Sequence, residues 1–309
     1  MTTHPDALGL LGTDPERPEI QPLLPPEFPP PWASAWGDDR WGIWADLEVN
    51  GVMQRMRWIP PGEFTMGSGD DDDLAYPDEK PAHRVRLTEG YWLADTACTQ
   101  SLWLAVMGEA NPSGFQDDPA QPVEQVSWDD ATEFLKALSN RWTEGVVAEL
   151  PTEAQWEYAC RAGTRTRFHF GHGIQTDWVN FNGQVRLVDE KASWGEPRKR
   201  TVPVKSLPAN SWGLYEMHGN VWEWCADGVV ADGGLRPYPK QQQAEALENP
   251  IQPPGEGRSA HRVLRGGSWL DDAQFCLSAY RNAGQRDRPY GRTGFRFALR
   301  PSTQSTDEP

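Results

Sequence analysis

Residues Arg262–Leu299 read RVLRGGSWLDDAQFCLSAYRNAGQRDRPYGRTGFRFAL, and this stretch is the most informative one in the chain. It combines aromatic residues such as Phe275 with the adjacent carboxylates of Asp271 and Asp272 and with several arginines. Exposed aromatics beside arginine are typical of protein-binding surfaces, and antibody paratopes have a related composition. The opposing interpretation places Leu270 and Phe275 in a core and the charged residues in a solvated loop. Two adjacent carboxylates indicate solvent access, which favours the binding-surface interpretation.

The residues before this stretch predict a few regular elements. Thr99, Ser127 and Thr152 each precede a helical pattern, and Ser127 and Thr152 open the capping-box signatures S-x-x-D and T-x-x-Q. Apolar residues follow Ser127 at helical spacing. The segment Trp41–Ile59, with Gly51 near its centre, predicts a hairpin.

Composition and charge exclude several classes of protein. The 309 residues carry a formal net charge of −16, and such an acidic surface disfavours binding to nucleic acid. No stretch approaches the roughly 18 apolar residues of a membrane span. The first residues lack a secretory signal pattern, so a cytoplasmic location is expected. The four cysteines have no zinc-type spacing, and the 16 tryptophans indicate a loop-rich fold held by aromatic anchors.

The chain divides into three predicted segments. Residues 1–31 form a Pro-rich tail or linker, because the run up to Pro31 favours polyproline II. Residues 32–301 form a single domain, and residues 302–309 form a disordered tail. Residues 164–262 have many turn residues and no long periodic run, so their order is expected to come from a metal ion or from aromatic anchors.

Four blocks resemble the formylglycine-generating (sulfatase-modifying factor) family. They are IPPGEFTMGS (59–68), LPTEAQWEYACRAGT (150–164), WGLYEMHGNVWEWCAD (212–227) and the stretch 262–299. Their order and spacing match the family across roughly residues 57–300. The resemblance implies an α+β fold, the formylglycine-generating variant of the C-type lectin fold, which is loop-rich with little regular secondary structure.

The same resemblance raises the question of copper. The enzymes of this family oxidise a cysteine of a sulfatase to formylglycine, with Cu(I) held by two cysteines after the RGGS block. Aligned on that block, Asp271 stands at the first cysteine position and Cys276 at the second. Because soft thiolates select Cu(I) and a carboxylate is a poor ligand for it, copper is not expected here. If the chain is nevertheless an enzyme, Cys276 and Ser268 are the candidate catalytic residues.

The family resemblance also implies structural calcium. A first site would use side-chain oxygens of Glu216 and Glu223 with the backbone carbonyls of Gly219 and Val221. The alternative for Glu223 is an ion pair with a buried arginine. A second, more loosely aligned site would involve the following residues: Asn180, the Phe181 carbonyl and Glu196.

Residues 262–299 further resemble the variable region of proteins that are diversified by retroelements. In such proteins, adenines of the template are copied with errors, so that AAC codons become many residue types but never Lys, Glu, Gln, Met or Trp. None of the positions expected to vary here carries an excluded type. These candidate variable positions are Leu270, Asp271, Asp272, Phe275, Leu277, Tyr280, Asn282, Ala283, Arg288, Tyr290, Gly291 and Arg292.

Three functions are therefore weighed. The favoured one is a ligand-binding module that presents residues 270–292 to a protein or other macromolecule, without nucleic acid and without a membrane span. The second is a copper-dependent oxidase of the formylglycine-generating type, or an altered relative. The third, a non-haem-iron oxidase of the same fold, is disfavoured because the six histidines form no H-x₃-H-x-E pattern. Since a fold does not define a function, the site must decide between them.

Overall fold

In a computed structural model, the described residues are 24–108, 110–142, 146–184, 193–229, 235, 246–252 and 260–301. The helices are α1 (Gln100–Met107), α2 (Trp128–Ser139) and α3 (Glu153–Arg161), with short 3-10 helices at Pro77–Glu79 and Ala273–Cys276. The strands are β1 (Ala33–Asp39), β2 (Gly42–Val49), β3 (Val52–Ile59), β4 (Gly62–Met66), β5 (His83–Leu87), β6 (Tyr91–Ala94), β7 (Val146–Glu149), β8 (Ile174–Gln175), β9 (Ser193–Trp194), β10 (Trp222–Gly228), β11 (Leu247–Glu248), β12 (His261–Arg265), β13 (Asn282–Gln285), β14 (Thr293–Gly294) and β15 (Ala298–Pro301).

The three predicted helices are confirmed, and each begins at its expected cap. The hydroxyl groups of Thr99, Ser127 and Thr152 accept hydrogen bonds from backbone N–H groups three residues ahead. The capping boxes at Ser127 and Thr152 are both complete, so these short helices start with satisfied N–H groups. The predicted hairpin is also confirmed, as β2 and β3 joined at Asn50 and Gly51.

The main sheet has six strands in the order β1-β2-β3-β6-β15-β7. The last strand of the chain, β15, is antiparallel to both β6 and β7, with Leu299 opposite Trp92 on one side and Ala148 on the other. Helices α1 and α2 pack on this sheet, and Phe134 and Phe297 lie in the shared core without solvent exposure. Strand β15 therefore lies inside the sheet that begins with β1, between β6 and β7.

A second sheet, of four strands in the order β13-β12-β10-β14, is built mainly from residues after 260. Strand β12 pairs antiparallel with β10 and with β13, and β14 pairs parallel with β10. Through these pairings, the loops between β12, β13 and β14 all start from one scaffold. Two smaller sheets, β11-β5-β4 and β8-β9, complete the described structure.

Buried arginines hold the loop-rich part of the fold together. Arg265 is fully buried and donates to Glu157 and to the carbonyl of Ala279, at 2.8 Å for the latter. Arg281 is bound by both carboxylate oxygens of Glu153, each at 2.7 Å. A single guanidinium can bond to several loop carbonyls and one carboxylate at once, which orders irregular backbone without regular secondary structure.

The predicted tails lie largely outside the described residues, as do all of residues 302–309. The part of the Pro-rich segment that is described, residues 24–31, lies against the domain. Phe28 stacks on Trp92 with ring centroids 6.4 Å apart and contacts the edge of Trp36 at 5.3 Å.

Candidate functional site

The RGGS turn after β12 positions the candidate variable positions. Gly266 and Gly267 both have left-handed backbone, with φ of 94° and 76°. A Cβ atom on Gly267 would lie 2.5 Å from the sulfur of Cys276, so only glycine fits there. The turn thus brings residues 268–272 over the 3-10 helix Ala273–Cys276.

Asp271 is held in a fixed position at the start of this surface. Its carboxylate accepts hydrogen bonds from the indole N–H of Trp222 at 2.8 Å and from the hydroxyl of Ser268, and Arg292 lies 3.5 Å away. Only 10% of the Asp271 side chain is exposed. The expected solvent access of the Asp-Asp pair is therefore limited at Asp271, because the carboxylate is committed to neighbours in the protein.

Asp272 and the segment after β8 form a second anchor. The amide group of Asn182 donates to the Asp272 carboxylate at 2.9 Å, and the backbone N–H of Asn182 donates to the Asp271 carbonyl at 2.9 Å. Asn182 was not among the predicted residues, because nothing in the sequence relates it to a loop 90 residues later.

An aromatic cluster lies beside this anchor. The Tyr280 ring contacts Phe275 at 5.1 Å, Tyr76 at 5.5 Å and Trp222 at 5.9 Å between ring centroids. Trp222 is buried beneath the others, whereas Tyr76 is 40% exposed. Neither Tyr76 nor Trp222 was predicted as part of the surface, since both come from distant segments.

The remaining candidate variable positions follow on β13 and the turn to β14. Asn282 and Ala283 lie on β13 and are half-buried. Tyr290 packs near Trp224, and its hydroxyl oxygen accepts a hydrogen bond from the Gln285 N–H at 3.1 Å.

Eleven of the twelve candidate variable positions are at least partly exposed. Arg288, Gly291 and Leu270 are exposed, and Leu270 is 49% exposed. Eight others are half-buried, namely Asp271, Asp272, Phe275, Tyr280, Asn282, Ala283, Tyr290 and Arg292. Leu277 is the exception, because it is 2% exposed and packs in the core with Cys276. Its side chain does not reach the surface.

The two candidate catalytic residues are both fully buried. Cys276 has no solvent exposure, and burial, with the charge of Asp271 as a second cause, raises the pKa of its thiol well above the usual value. Ser268 donates its hydroxyl to Asp271. One buried thiol and one hydrogen-bonded carboxylate do not supply the two thiolates that Cu(I) requires, so these residues do not fit copper.

In the first predicted calcium site, the Glu223 carboxylate is already hydrogen-bonded within the protein. Both carboxylate oxygens of Glu223 accept hydrogen bonds from Arg296, at 2.6 and 2.8 Å, and one also accepts from the indole N–H of Trp156 at 2.7 Å. This is the ion pair with a buried arginine that the sequence left as the alternative. The described side chains include no group of three or more Asp, Glu, His or Cys that could hold an ion. A site that also uses the backbone carbonyls of Gly219 and Val221 stays a prediction.

Two buried oxygens among the predicted calcium ligands have no protein partner. They are one carboxylate oxygen of Glu216 and the amide oxygen of Asn180. Burial raises the pKa of Glu216 to about 7. Of the other predicted ligands, Phe181 is buried and Glu196 is exposed. The second calcium site stays a prediction.

Fold and site together define a loop-rich α+β domain that presents a C-terminal surface on a four-stranded sheet. The chain belongs to the family of the sulfatase-modifying factor enzyme 1-like domain, whose model matches residues 45–301. The formylglycine-generating enzyme of Thermomonospora curvata is 32% identical over 306 residues, covering 81% of this chain and 95% of that protein. The corresponding Streptomyces coelicolor enzyme is 30% identical, with 78% and 87% covered.

The solved structure of Treponema denticola variable protein 1 shares the fold. It superposes with a TM-score of 0.65 at 25% identity, covering 84% of this chain and 99% of that one. The predicted fold class, a formylglycine-generating-type C-type lectin fold, is thereby confirmed. None of the described helices is long and apolar enough to cross a membrane. The cytoplasmic location stays a prediction.

Proposed function

We propose that this chain is a ligand-binding protein that displays residues 270–292 as a diversified surface on a C-type lectin scaffold. Its ligand would be a protein or another macromolecule. The observation that carries the proposal is the division of residues 262–299 into two sets. Eleven of the twelve candidate variable positions are exposed or half-buried, whereas the turn and strand residues that hold them, such as Arg265, Ser268 and Phe295, are fully buried. A surface can then change residue by residue without altering the core.

The structural likeness to a variable protein supports this function, and the enzyme relatives support the alternative of cysteine oxidation. The chemistry of the donors favours binding. Asp271 stands where the enzymes have a cysteine, and its carboxylate already accepts hydrogen bonds from Trp222 and Ser268. Cys276 is buried and therefore inaccessible to a peptide substrate. An oxidase with this arrangement would need a different way to hold its metal and to expose its thiol.

The first test is genetic. The 3′ end of the coding gene and its flanks are sequenced in search of a near-identical template repeat that differs at adenines, with a reverse transcriptase nearby. Sister copies should differ at 270–272, 275 and 280 while Arg265–Trp269 stay fixed. Copies that carry Lys or Glu at these positions, or that never differ there, would contradict the proposal.

The second test is biochemical and uses the whole protein. A random peptide display library is selected on immobilised wild-type protein, and each recovered ligand is then measured against single variants. Leu270→Ser and Phe275→Ala should weaken binding at least tenfold. Leu104→Ser is the matched control, since Leu104 is 41% exposed on α1, outside residues 270–292. If ligands respond equally to the Leu270 and Leu104 variants, the C-terminal surface is not the binding site.

A further inference from the structure

The aromatic cluster at Tyr280 has the composition of a site for a cation. Its members are Tyr76, Trp222, Phe275 and Tyr280, and Tyr280 contacts each of the other three rings within 6 Å. Three of the rings are partly exposed, and Trp222 forms the floor. The negative face of an aromatic ring attracts a cation placed over it, and a partly exposed ring can accept one from solvent.

The charges around the cluster point to the same kind of ligand. After burial, the causes that raise the pKa of the Tyr280 hydroxyl are Tyr76, Asp78, Glu79 and Asp271, so the surrounding potential is negative. Burial also raises the pKa of Glu79 to about 7. The Asp271 carboxylate lies beside the cluster, since it accepts a hydrogen bond from the Trp222 indole at 2.8 Å. The net charge of −16 adds a long-range attraction for basic partners.

The arginines near the cluster are already engaged. Arg292 lies 3.5 Å from Asp271 at the edge of the surface. Arg281 and Arg265 lie beneath it, fully buried, and are bound to Glu153 and Glu157. The positive charges in this region are therefore matched by carboxylates, and the Arg265 guanidinium also lies over the ring of Trp156.

We infer that the cluster of Tyr76, Trp222, Phe275 and Tyr280 accepts an arginine or lysine side chain from a basic segment of the protein ligand. This inference rests on the proposed binding function and narrows it to a class of partner. Tyr76 and Trp222 lie outside the variable stretch and would keep part of the site in every copy. Phe275, Tyr280 and Asp271 are candidate variable positions, so the preference for a cation would belong to this copy.

The test uses three fluorescently labelled peptides with one Gly/Ser backbone and three substituted positions, which carry arginine, its neutral isostere citrulline, or glutamate. Binding is measured by fluorescence anisotropy at about 0.15 M salt, where the Debye length is about 8 Å. The arginine peptide should bind about 5- to 30-fold more tightly than the citrulline peptide. The glutamate peptide should bind more weakly than either.

Four variants locate the site. Tyr280→Ala should remove most of the preference for arginine, while Tyr280→Phe, which keeps the ring and its packing, should retain it. Asp271→Asn should weaken the arginine peptide several-fold and leave the citrulline peptide unchanged. Trp36→Ala is the matched control, because Trp36 is an exposed aromatic on β1 at 48% exposure. Thermal unfolding of each variant confirms that it is folded.

Two results would overturn the inference. One is equal binding of the arginine and citrulline peptides; the other is an arginine preference that survives Tyr280→Ala in a folded protein. The library selection keeps these outcomes apart from the proposed function. If the selected ligands need Leu270 and Phe275 but lack basic residues, the binding function stands and the cation site is wrong. If no ligand depends on the C-terminal surface, the binding function itself fails.

Discussion

The buried ion pair between Arg296 and Glu223 offers a decisive perturbation, Arg296→Met. Arg296 donates two hydrogen bonds to Glu223 and two more to the carbonyls of Tyr215 and Ala94, at 2.8 and 3.2 Å. Both side chains of the pair are at most 1% exposed. Methionine has a similar length and no donor, so among the described residues the variant leaves the Glu223 carboxylate with the Trp156 indole as its one side-chain donor.

The expected cost follows from that uncompensated charge. Removing one member of a buried ion pair typically costs about 3 to 5 kcal/mol of unfolding free energy. With a urea dependence of about 3 kcal/mol per molar for a domain of this size, the unfolding midpoint should fall by about 1 to 2 M. Glu223→Gln in the Arg296→Met background should recover part of the loss, because it removes the buried charge, and the coupling in the double-mutant cycle should exceed about 1 kcal/mol.

Urea unfolding followed by tryptophan fluorescence measures all four members of the cycle. Arg300→Met is the matched control, since Arg300 pairs with Glu149 at 2.7 Å with its side chain 45% exposed and should cost less than about 1 kcal/mol. The same unfolding in calcium and in a chelator tests the other role of Glu223. If Arg296→Met costs no more than Arg300→Met, the ion-pair reasoning is refuted. If calcium stabilises wild type but not Glu223→Gln, Glu223 serves as a metal ligand and the ion-pair reasoning is also refuted.

Three further predictions concern pH, backbone and thiols. Burial, and after it the charge of Glu153, raises the pKa of Asp227 from 3.8 to about 7. The stabilisation from protonated Asp227 is therefore complete below pH 4, and about 4 kcal/mol of unfolding free energy is lost as pH rises through 7. Asp227→Asn should flatten that part of the curve of stability against pH, and an unchanged slope would contradict the prediction. Gly267→Ala should lower the unfolding free energy by well over the roughly 1 kcal/mol expected for Gly51→Ala, as measured by calorimetric melting. Both glycines have positive φ, but only a Cβ atom at position 267 would clash with Cys276, so equal losses would refute the clash. The four buried free cysteines should react with a disulfide reagent only after unfolding, and rapid labelling of Cys276 in the native protein would reopen the enzyme hypothesis.

The regular elements were predictable because their signals are local. A helix cap depends on residues three positions apart, as at Thr99 and Ser127, and a tight hairpin depends on residues such as Gly51 that tolerate positive φ. The family blocks extended this to the whole fold, because their order along the chain reflects a shared arrangement. These predictions held over the described residues.

The candidate site was predictable in outline only. The positions in 270–292 came from the sequence, and most of them reach the surface. Leu277 does not, because the 3-10 helix before it turns its side chain into the core. Tyr76 and Asn182 contribute from segments with no periodic or motif signal, so sequence reasoning had no means of finding them.

The sequence by itself determined the family, the helix starts and the stretch that forms the surface, since each of these depends on residue types at fixed spacing. Only the tertiary structure decided what the buried charges do. A sequence motif does not show whether a carboxylate such as Glu223 binds a metal cation or an arginine. Its partner is the group that lies within about 3 Å after folding. Here Arg296, 73 residues later, occupies both of its oxygens. The contacts of Asp271 with Trp222 and of Tyr76 with Tyr280 likewise join residues that are far apart in the sequence.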